Sequence, residues 1–243
     1  MSNSHQPSDM SRNKIFARIR GALGDNAQPT ALQEKTDANK RTISDAFLAL
    51  TQHQPPANPV GVDGLDSPGQ LIAHFTDVVE RTSAKVFVLD SQDTLPAWFA
   101  EQHAQSGQQN LGVYREQTKY LNAINWDTAE GVTYTSDHTI TGQWGIVEAK
   151  CAIAETGSIV LASSHEHATA AGFLPDNLVV VVKKDTMKPA LEDVWGFVYG
   201  QEQDLTTVPR AVNIITGPSR TADVEQKVQL GAHGPRELYI AIV

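Results

Sequence analysis

The sequence predicts an α/β protein in which helices cover both faces of a mostly parallel sheet, preceded by an N-terminal helical arm. Three observations lead to this prediction. Short apolar runs typical of buried strands alternate with longer segments of helical apolar spacing from residue 67 onward. The chain has 243 residues, enough for one large core with extensions, and its hydrophobic content of 40% is ordinary for a globular protein. A polar region rich in proline and glycine separates the first part of the chain from this core.

The N-terminal part carries one predicted helix. Ile15, Ile19 and Leu23 recur at helical spacing with basic residues between them, and Gly24 ends the pattern. We therefore interpret residues 1–66 as a helical arm and linker, and residues 67–243 as a single α/β domain.

The alternation within residues 67–243 predicts the elements of the core in order. Ser67 and Pro68 form a typical helix start. The first half of the domain is predicted to contain a helix over 69–82, a strand over 85–90, a helix over 94–107, and strands over 111–116 and 132–136. The second half is predicted to contain strands over 145–154, 158–163 and 177–184, a helix over 187–200, a strand over 211–216, a helix over 222–231 and a closing strand over 237–243.

Composition excludes several classes of protein. A net charge of −9 argues against a nucleic-acid surface and against binding to an anionic membrane. Cys151 is the only cysteine, so the chain forms no internal disulfide and cannot hold an iron–sulfur cluster alone. The apolar runs are too short for a membrane span, and the start of the chain does not resemble a secretory signal, so we expect a cytoplasmic protein. His165 and His167 lie two residues apart without an evident third ligand, and no metal site is predicted.

The stretch "AETGS" joins two strand-like runs and contains the first candidate site. Glu155 is its one charged residue, and Thr156, Gly157 and Ser158 offer hydroxyl groups and accessible backbone amides. Loops at the carboxyl ends of parallel strands line ligand crevices, so Glu155 is a candidate nucleophile, base or hydrogen-bond acceptor. The alternative is a tight hairpin in which Glu155 binds a basic side chain or backbone amides.

The second candidate follows the strand predicted over 211–216. Gly217, Pro218, Ser219 and Arg220 form a bend, and Thr221 is suited to cap the helix predicted after it. A helix N-terminus beside an arginine binds phosphate or carboxylate groups. The alternative is an ordinary turn between a strand and a well-capped helix.

The third candidate is the turn before the last strand. His233 and Arg236 lie in it, and His233 is either an acid/base or ligand contact, or a cap for the preceding predicted helix. We expect the turns at 155–158 and 217–221 to converge around a shared pocket.

Three stretches together resemble a known family. "RNKIFARIRGAL", "ITGQWGIVEAKCAIAETGSIVLASS" and "GPSRTADVEQKVQLGAHGPRELYIAIV" are similar to the lactate utilization protein C (LutC/YkgG) family with its LUD domain, over residues 11 to 243. The resemblance implies a three-layer α/β/α fold of the NagB/RpiA/CoA-transferase-like type. It also implies participation in the oxidation of L-lactate to pyruvate, with iron–sulfur clusters held by partner proteins and no cofactor in this chain.

Two functions are compatible with these observations. The first is a component of the lactate-oxidising system that binds a small organic anion, and whether such a subunit is itself catalytic stays open. The second is a stand-alone enzyme similar to CoA transferases or sugar-phosphate isomerases, with Glu155 as nucleophile or base. CoA transferases carry this glutamate in an "ENG"-like turn, and here Thr156 stands in place of the asparagine. A scaffold without a ligand is a third reading.

Overall fold

A computed structural model describes residues 62, 64–65, 67–107, 112–137, 144–199, 209–222, 228–231 and 233–243. The helix predicted near residues 11–23 and nearly all of the predicted arm lie outside the described residues. None of the helices in these ranges is long and apolar enough to cross a membrane.

The described residues contain four α-helices and twelve strands. The helices are α1 (Pro68–Glu80), α2 (Leu95–Gln105), α3 (Lys119–Asn122) and α4 (Glu192–Tyr199). The strands are β1 (Lys85–Val88), β2 (Val113–Arg115), β3 (Tyr134–Thr135), β4 (Trp144–Glu148), β5 (Cys151–Ile153), β6 (Ser158–Ala162), β7 (Asn177–Val182), β8 (Met187–Lys188), β9 (Val212–Ile215), β10 (Arg220–Ala222), β11 (Val228–Leu230) and β12 (Glu237–Ile242).

Six parallel strands form the central sheet, in the order β1-β12-β7-β4-β2-β3. All six residues of β7 are buried, as are the last five of β12. Continuous apolar strands of this kind occur where both faces of a parallel sheet are covered. The predicted fold class, a mostly parallel sheet with flanking helices, is confirmed.

Different elements pack against the two faces of the central sheet. Trp144 and Ile146 of β4 lie in an apolar cluster with residues of α2 and α3. Val147, on the opposite face, packs with α1 and with residues of a second sheet. The second sheet has the order β8-β5-β6-β9 and is mostly antiparallel, and α4 covers its outer side.

The strand predicted over 145–154 is two strands in different sheets. The amide of Ala149 still donates to Val181 in the central sheet, at 2.9 Å, whereas the amide of Lys150 donates to Val160 in the second sheet, at 2.8 Å. The prediction of one strand was wrong because an uninterrupted apolar run does not reveal a change of partner.

Helix α1 begins as the sequence predicts. The Ser67 hydroxyl accepts the Gln70 amide, the Gln70 side chain accepts the Ser67 amide, and Pro68 occupies the first turn. Phe75 and Val79 form its fully buried face. This helix ends just before β1 and reaches the amino-terminal edge of the central sheet.

The helix predicted over 222–231 is wrong. β10 and β11 pair as an antiparallel hairpin, with Arg220 opposite Leu230. The charged and amide residues of this stretch favour a helix locally, but propensity is a weak preference that pairing with another strand overrides. The helix predicted over 187–200 also begins later, at Glu192, because Lys188 precedes a proline and is restricted to extended backbone, here in β8.

Candidate functional site

The turn at Glu155 belongs to the second sheet. It follows β5, so the premise that Glu155 ends a strand of the parallel sheet was wrong. Its carboxylate accepts a hydrogen bond from the Leu191 amide at 3.1 Å, and its own amide donates to Pro189 at 2.9 Å. Leu191 directly precedes α4, whose N-terminus favours negative charge. The geometry therefore matches the structural alternative, in which Glu155 binds a backbone amide.

The turn at 155–158 contacts Thr216, the residue directly before the bend at 217–221. The Ser158 hydroxyl is 2.6 Å from that of Thr216 and 2.7 Å from that of Thr156, and Ser158 itself is buried. The contact follows from the pairing of β6 with β9, which sets Ile159 opposite Ile215.

The C-terminal end of α1 packs against both turns. A Cβ on Gly157 would lie 3.0 Å from Val78, and one on Gly217 would lie 2.9 Å from the carbonyl oxygen of Thr82. Both glycines have positive φ, 62° and 78° respectively. They are required here because the backbone adopts a left-handed conformation and approaches the helix closely.

The bend after Gly217 contacts the turn before β12. The Ser219 amide donates to the Pro235 carbonyl at 2.8 Å, and the Ser219 hydroxyl accepts the His233 amide at 3.2 Å. Pro218 is half-buried, whereas Arg220 and His233 are exposed.

Arg220 and Thr221 are in strand β10, so no helix begins at this bend among the residues that the structure describes. The helix N-terminus on which the predicted anion site depended is therefore not present at this bend. His233 does not cap a helix either, because strand β11 precedes it. The Arg236 amide donates to Asp176 at 2.8 Å, and its exposed side chain crosses Gly231.

The residues predicted around 217–221 and 231–236 lie near the amino-terminal edge of the central sheet. Arg236 directly precedes β12, and Asp176, which it contacts, directly precedes β7. Ligands of open α/β sheets bind at the opposite edge, where strands end and the direction of their connections changes.

That change of direction falls between β2 and β4. The chain leaves β2 through α3 on one face and continues outward to β3. It leaves β4 through the second sheet on the other face and continues inward to β7. Glu116 directly follows β2, Glu148 ends β4, and Lys183 directly follows β7, so three charged side chains stand at this edge.

Glu116 lies at the centre of the charged side chains at this edge and is completely buried. One carboxylate oxygen, Oε1, contacts Nδ1 of His167, and the other, Oε2, accepts the Glu148 amide at 2.8 Å. A buried carboxylate needs such partners because its desolvation is unfavourable. Burial and, secondarily, the Glu116 charge raise the pKa of nearby Tyr114 to about 12.

His167 is positioned by contacts of its side chain with Glu116 and of its backbone with Ser164. It is 6% exposed, and its amide donates to the Ser164 hydroxyl at 3.0 Å. Within the described part of the chain, its second ring nitrogen, Nε2, is buried and has no hydrogen-bond partner. A histidine oriented through Nδ1 by a carboxylate, with Nε2 left over, is the arrangement found in general bases.

A cleft of about 190 Å³ lies beside this pair. Its lining consists of Glu116, Thr118, Glu148, Ala149, Lys150, Ala162, Ser163, Ser164, His167 and Pro209. Glu148 pairs with Lys183 at 2.9 Å, whereas no acidic partner of the exposed Lys150 occurs among the described residues. Each carboxylate in the cleft thus has a cationic or imidazole partner, whereas the Lys150 ammonium lies 5.7 Å from the centre of the Phe197 ring.

The sequence analysis did not identify this site. Glu116 was the last residue of a predicted strand, and His167 was considered only with His165 as a metal pair. The described ranges contain no group of three or more His, Cys, Asp and Glu side chains arranged to hold a metal ion. The sequence did show a glutamate at the end of an apolar strand, which could have indicated a functional residue. No pattern of neighbouring residues indicates that this glutamate contacts His167.

Comparison with known proteins agrees with the fold. Residues 70–243 match the family model described as LUD domain. A crystal structure at 1.70 Å resolution of a DUF162 family protein from Deinococcus radiodurans superposes with a TM-score of 0.53 and 19% identity. It covers 73% of this chain and 98% of that protein, and at this identity it supports the fold alone.

Three relatives illustrate the sequence similarity. YkgG of Escherichia coli (strain K12) is 30% identical over 135 residues, which is 55% of this chain and 58% of YkgG. Lactate utilization protein C of Geobacillus thermodenitrificans is 32% identical over 99 residues, 41% of each chain. Lactate utilization protein C of Macrococcus caseolyticus is 27% identical over 173 residues, 71% of each chain. The matches to the first two therefore span about half of those relatives' length. Because the family model covers most of its length, this chain belongs to the LUD domain family.

Proposed function

We propose that this chain takes part in the utilisation of L-lactate by binding a small organic anion in the cleft beside Glu116 and His167. Membership of the LUD domain family and relatives named lactate utilization protein C support the role in lactate utilisation. The position of the cleft at the change of strand direction supports ligand binding, because that is where open α/β sheets hold their ligands.

The single observation that carries anion binding is the charge arrangement of the cleft. Glu116 contacts His167 and Glu148 contacts Lys183, so both acidic side chains have partners within the protein. Lys150 lines the same cleft without an acidic partner in the described ranges. An ammonium group in this position favours a ligand with a carboxylate.

Oxidation of lactate to pyruvate also requires an electron acceptor, which the proposal places in partner proteins. Iron–sulfur clusters are commonly held by four cysteine thiolates, and this chain contains only Cys151, which is buried. The chain would then supply a binding site and the partners the clusters. The partners should copurify with the chain from its own cells grown on L-lactate, and their clusters should be visible in the absorption spectrum.

Calorimetric titration of the full chain with L-lactate and pyruvate tests the site. Binding is expected, and Lys150→Met should weaken it about tenfold or more by removing a charge-assisted hydrogen bond. Arg81→Gln removes a positive charge from an exposed position directly after α1 and should leave the affinity unchanged. Equal affinity in the wild type and Lys150→Met would contradict the proposed site.

Growth tests the biological role. Loss of the gene from its own host should abolish growth on L-lactate but not on pyruvate, and reintroduction of the wild-type gene should restore it. Normal growth of the deletion strain on L-lactate would contradict the proposal.

The alternative, a stand-alone enzyme that uses Glu155, has less support. The Glu155 carboxylate is engaged by the Leu191 amide, and α1 packs against the neighbouring glycine. A covalent adduct on Glu155, detected by mass spectrometry after incubation with acyl-CoA, would favour that function over the one proposed.

A further inference from the structure

We propose that Arg115 binds an oxyanion, a phosphate or carboxylate group, on the face of the central sheet opposite to the cleft beside Glu116 and His167. This second anion site goes beyond the proposed function and does not depend on it. Three features of Arg115 support it: its position in the sheet, the absence of a carboxylate partner among the described residues, and one edge of the guanidinium that lacks hydrogen bonds there.

Arg115 ends β2, beside the point where the direction of the strand connections changes. It pairs with Ile146 of β4, which lies in the apolar cluster with α2 and α3. Successive residues of a strand face opposite sides of the sheet, so Arg115 lies on the α3 face and Glu116 on the face of the second sheet. The edge at which open α/β sheets bind ligands therefore has a charged side chain on each face.

The Arg115 side chain is held in one orientation by α3 and by two aromatic rings. Its Nη1 donates to the Leu121 carbonyl at 3.2 Å and to the side-chain oxygen of Asn122 at 3.0 Å. The guanidinium carbon lies 5.3 Å from the centre of the Trp126 ring and 5.8 Å from that of Tyr134, within the range of cation–π contacts. Because the guanidinium is already ordered, an anion that binds it loses little affinity to side-chain entropy.

The charge of Arg115 has no carboxylate partner among the described residues. Burial lowers the pKa of the guanidinium, and Tyr134 opposes this effect, whereas no described carboxylate does. Partial burial of a cation without a counter-charge is unfavourable. The chain contains 28 acidic side chains, and the more exposed Arg81 and Lys85 each pair with one of them. An anion from outside the chain would supply the counter-charge that Arg115 lacks.

Two of the three guanidinium nitrogens have no hydrogen-bond partner within the described ranges. Nε is buried without a partner, and both bonds to α3 are made by Nη1 rather than Nη2. Nε and Nη2 form one edge of the planar group, and two oxygens of a phosphate or carboxylate bind such an edge through parallel hydrogen bonds. The buried hydroxyl of Tyr134, on the same face, also lacks a partner in these ranges and adds a further donor.

Inorganic phosphate is the first probe of this site. Titration calorimetry on the full chain, at an ionic strength fixed with sodium chloride, should show binding to the wild type, and Arg115→Gln should weaken it about tenfold or more. Arg115→Lys keeps the charge but not the planar edge and should also weaken binding. Lys119→Gln, the control, removes a positive charge from an exposed position on α3 and should leave the affinity nearly unchanged.

Acetate at the same ionic strength distinguishes the two kinds of oxyanion. Binding of phosphate but not acetate assigns the site to a phosphate group, and binding of acetate but not phosphate assigns it to a carboxylate. Whichever anion binds should also raise the melting temperature of the wild type and of Lys119→Gln, but not that of Arg115→Lys. A purely structural role of Arg115 would lower the melting temperature of Arg115→Lys without removing the effect of the anion.

A measurement on the wild type decides the question if the variants at position 115 do not fold. Nitrogen NMR should show that the bound anion shifts the Nε resonance of Arg115. Binding of neither anion to the wild type, or an Nε resonance that neither anion shifts, would overturn the inference. It would also be overturned if Lys150→Met lost anion binding while Arg115→Gln kept it, because the anion would then occupy the cleft on the other face.

Discussion

The buried Glu116 carboxylate contacts Nδ1 of His167, which lies in the loop after β6 of the second sheet. The contact therefore joins the carboxyl-terminal edge of the central sheet to a segment that the sequence places far away. It provides the cleft with an oriented imidazole and provides the buried carboxylate with a partner.

Removal of Glu116 should destabilise the protein strongly. Glu116→Ala leaves His167 and the Glu148 amide without their acceptor, and loss of one partner of a buried pair lowers the free energy of unfolding by about 3–5 kcal/mol. Glu116→Gln should have a smaller effect, because the amide oxygen still accepts the Glu148 amide. Urea denaturation measures both variants. Glu166→Ala, at an exposed position nearby, is the control and should stay within about 0.5 kcal/mol of the wild type.

Glu155→Gln should leave both stability and ligand binding nearly unchanged. The glutamine oxygen can accept the Leu191 amide as the carboxylate does, and Glu155 does not line the cleft beside Glu116. Glu155→Ala loses this bond at the start of α4 and should be destabilised by about 1 kcal/mol. Thermal unfolding and L-lactate titration check the two effects. Loss of ligand binding in a folded Glu155→Gln variant would instead support the site predicted from the sequence.

Gly157→Ala should destabilise the turn against α1. An alanine in the left-handed conformation is unfavourable by about 1–2 kcal/mol, and its Cβ would also press on Val78 at 3.0 Å. Gly69→Ala should have the opposite effect. Gly69 is in helix α1, and a Cβ added there would have no neighbouring atom within 4 Å, so the substitution should stabilise the protein by up to about 1 kcal/mol. Denaturant unfolding compares them, and equal stability of the two variants would contradict the packing described for Gly157.

Cys151 should be unreactive in the folded protein. Burial raises the pKa of its thiol to about 12, although Lys188 and Lys150 oppose this, so very little thiolate exists at pH 8. A thiol-specific disulfide reagent should react rapidly only after unfolding in urea. Rapid labelling of the native chain would show that the thiol is accessible.

The same pKa difference predicts the sign of a pH effect. The unfolded thiol ionises near pH 9 and the folded one near pH 12, so the unfolded state loses its proton first as the pH rises. Stability should therefore decrease through this interval by the contribution of Cys151, and Cys151→Ala should remove that part of the decrease.

Much of the fold could be predicted from local pattern. The apolar runs that became β7 and β12 were predicted as strands, and Ser67 with Pro68 identified the start of α1. These features depend on neighbouring residues alone, and alternation of strands with helices then indicates a parallel sheet. The glycines in the turns identified the candidate residues there. The position of these turns relative to the central sheet could not be predicted.

Pairing between distant segments could not be predicted in this way. The stretch at 220–230 is helix-favouring in composition yet contributes the paired strands β10 and β11, and the run at 145–154 changes sheets at Lys150. In each case the partner strand lies elsewhere in the chain, and the energy gained on pairing exceeds the local preference.

The amino-acid sequence by itself determined which segments are apolar enough to form the core, where α1 starts and which turns need glycine, because these properties depend on side chains a few positions apart. Only the tertiary structure decided that Glu116 meets His167 at the edge between β2 and β4, and that Glu155 lies in a different sheet. The physical reason is that burial of a carboxylate depends on which distant segments pack around it, and that packing minimises the free energy of the whole core.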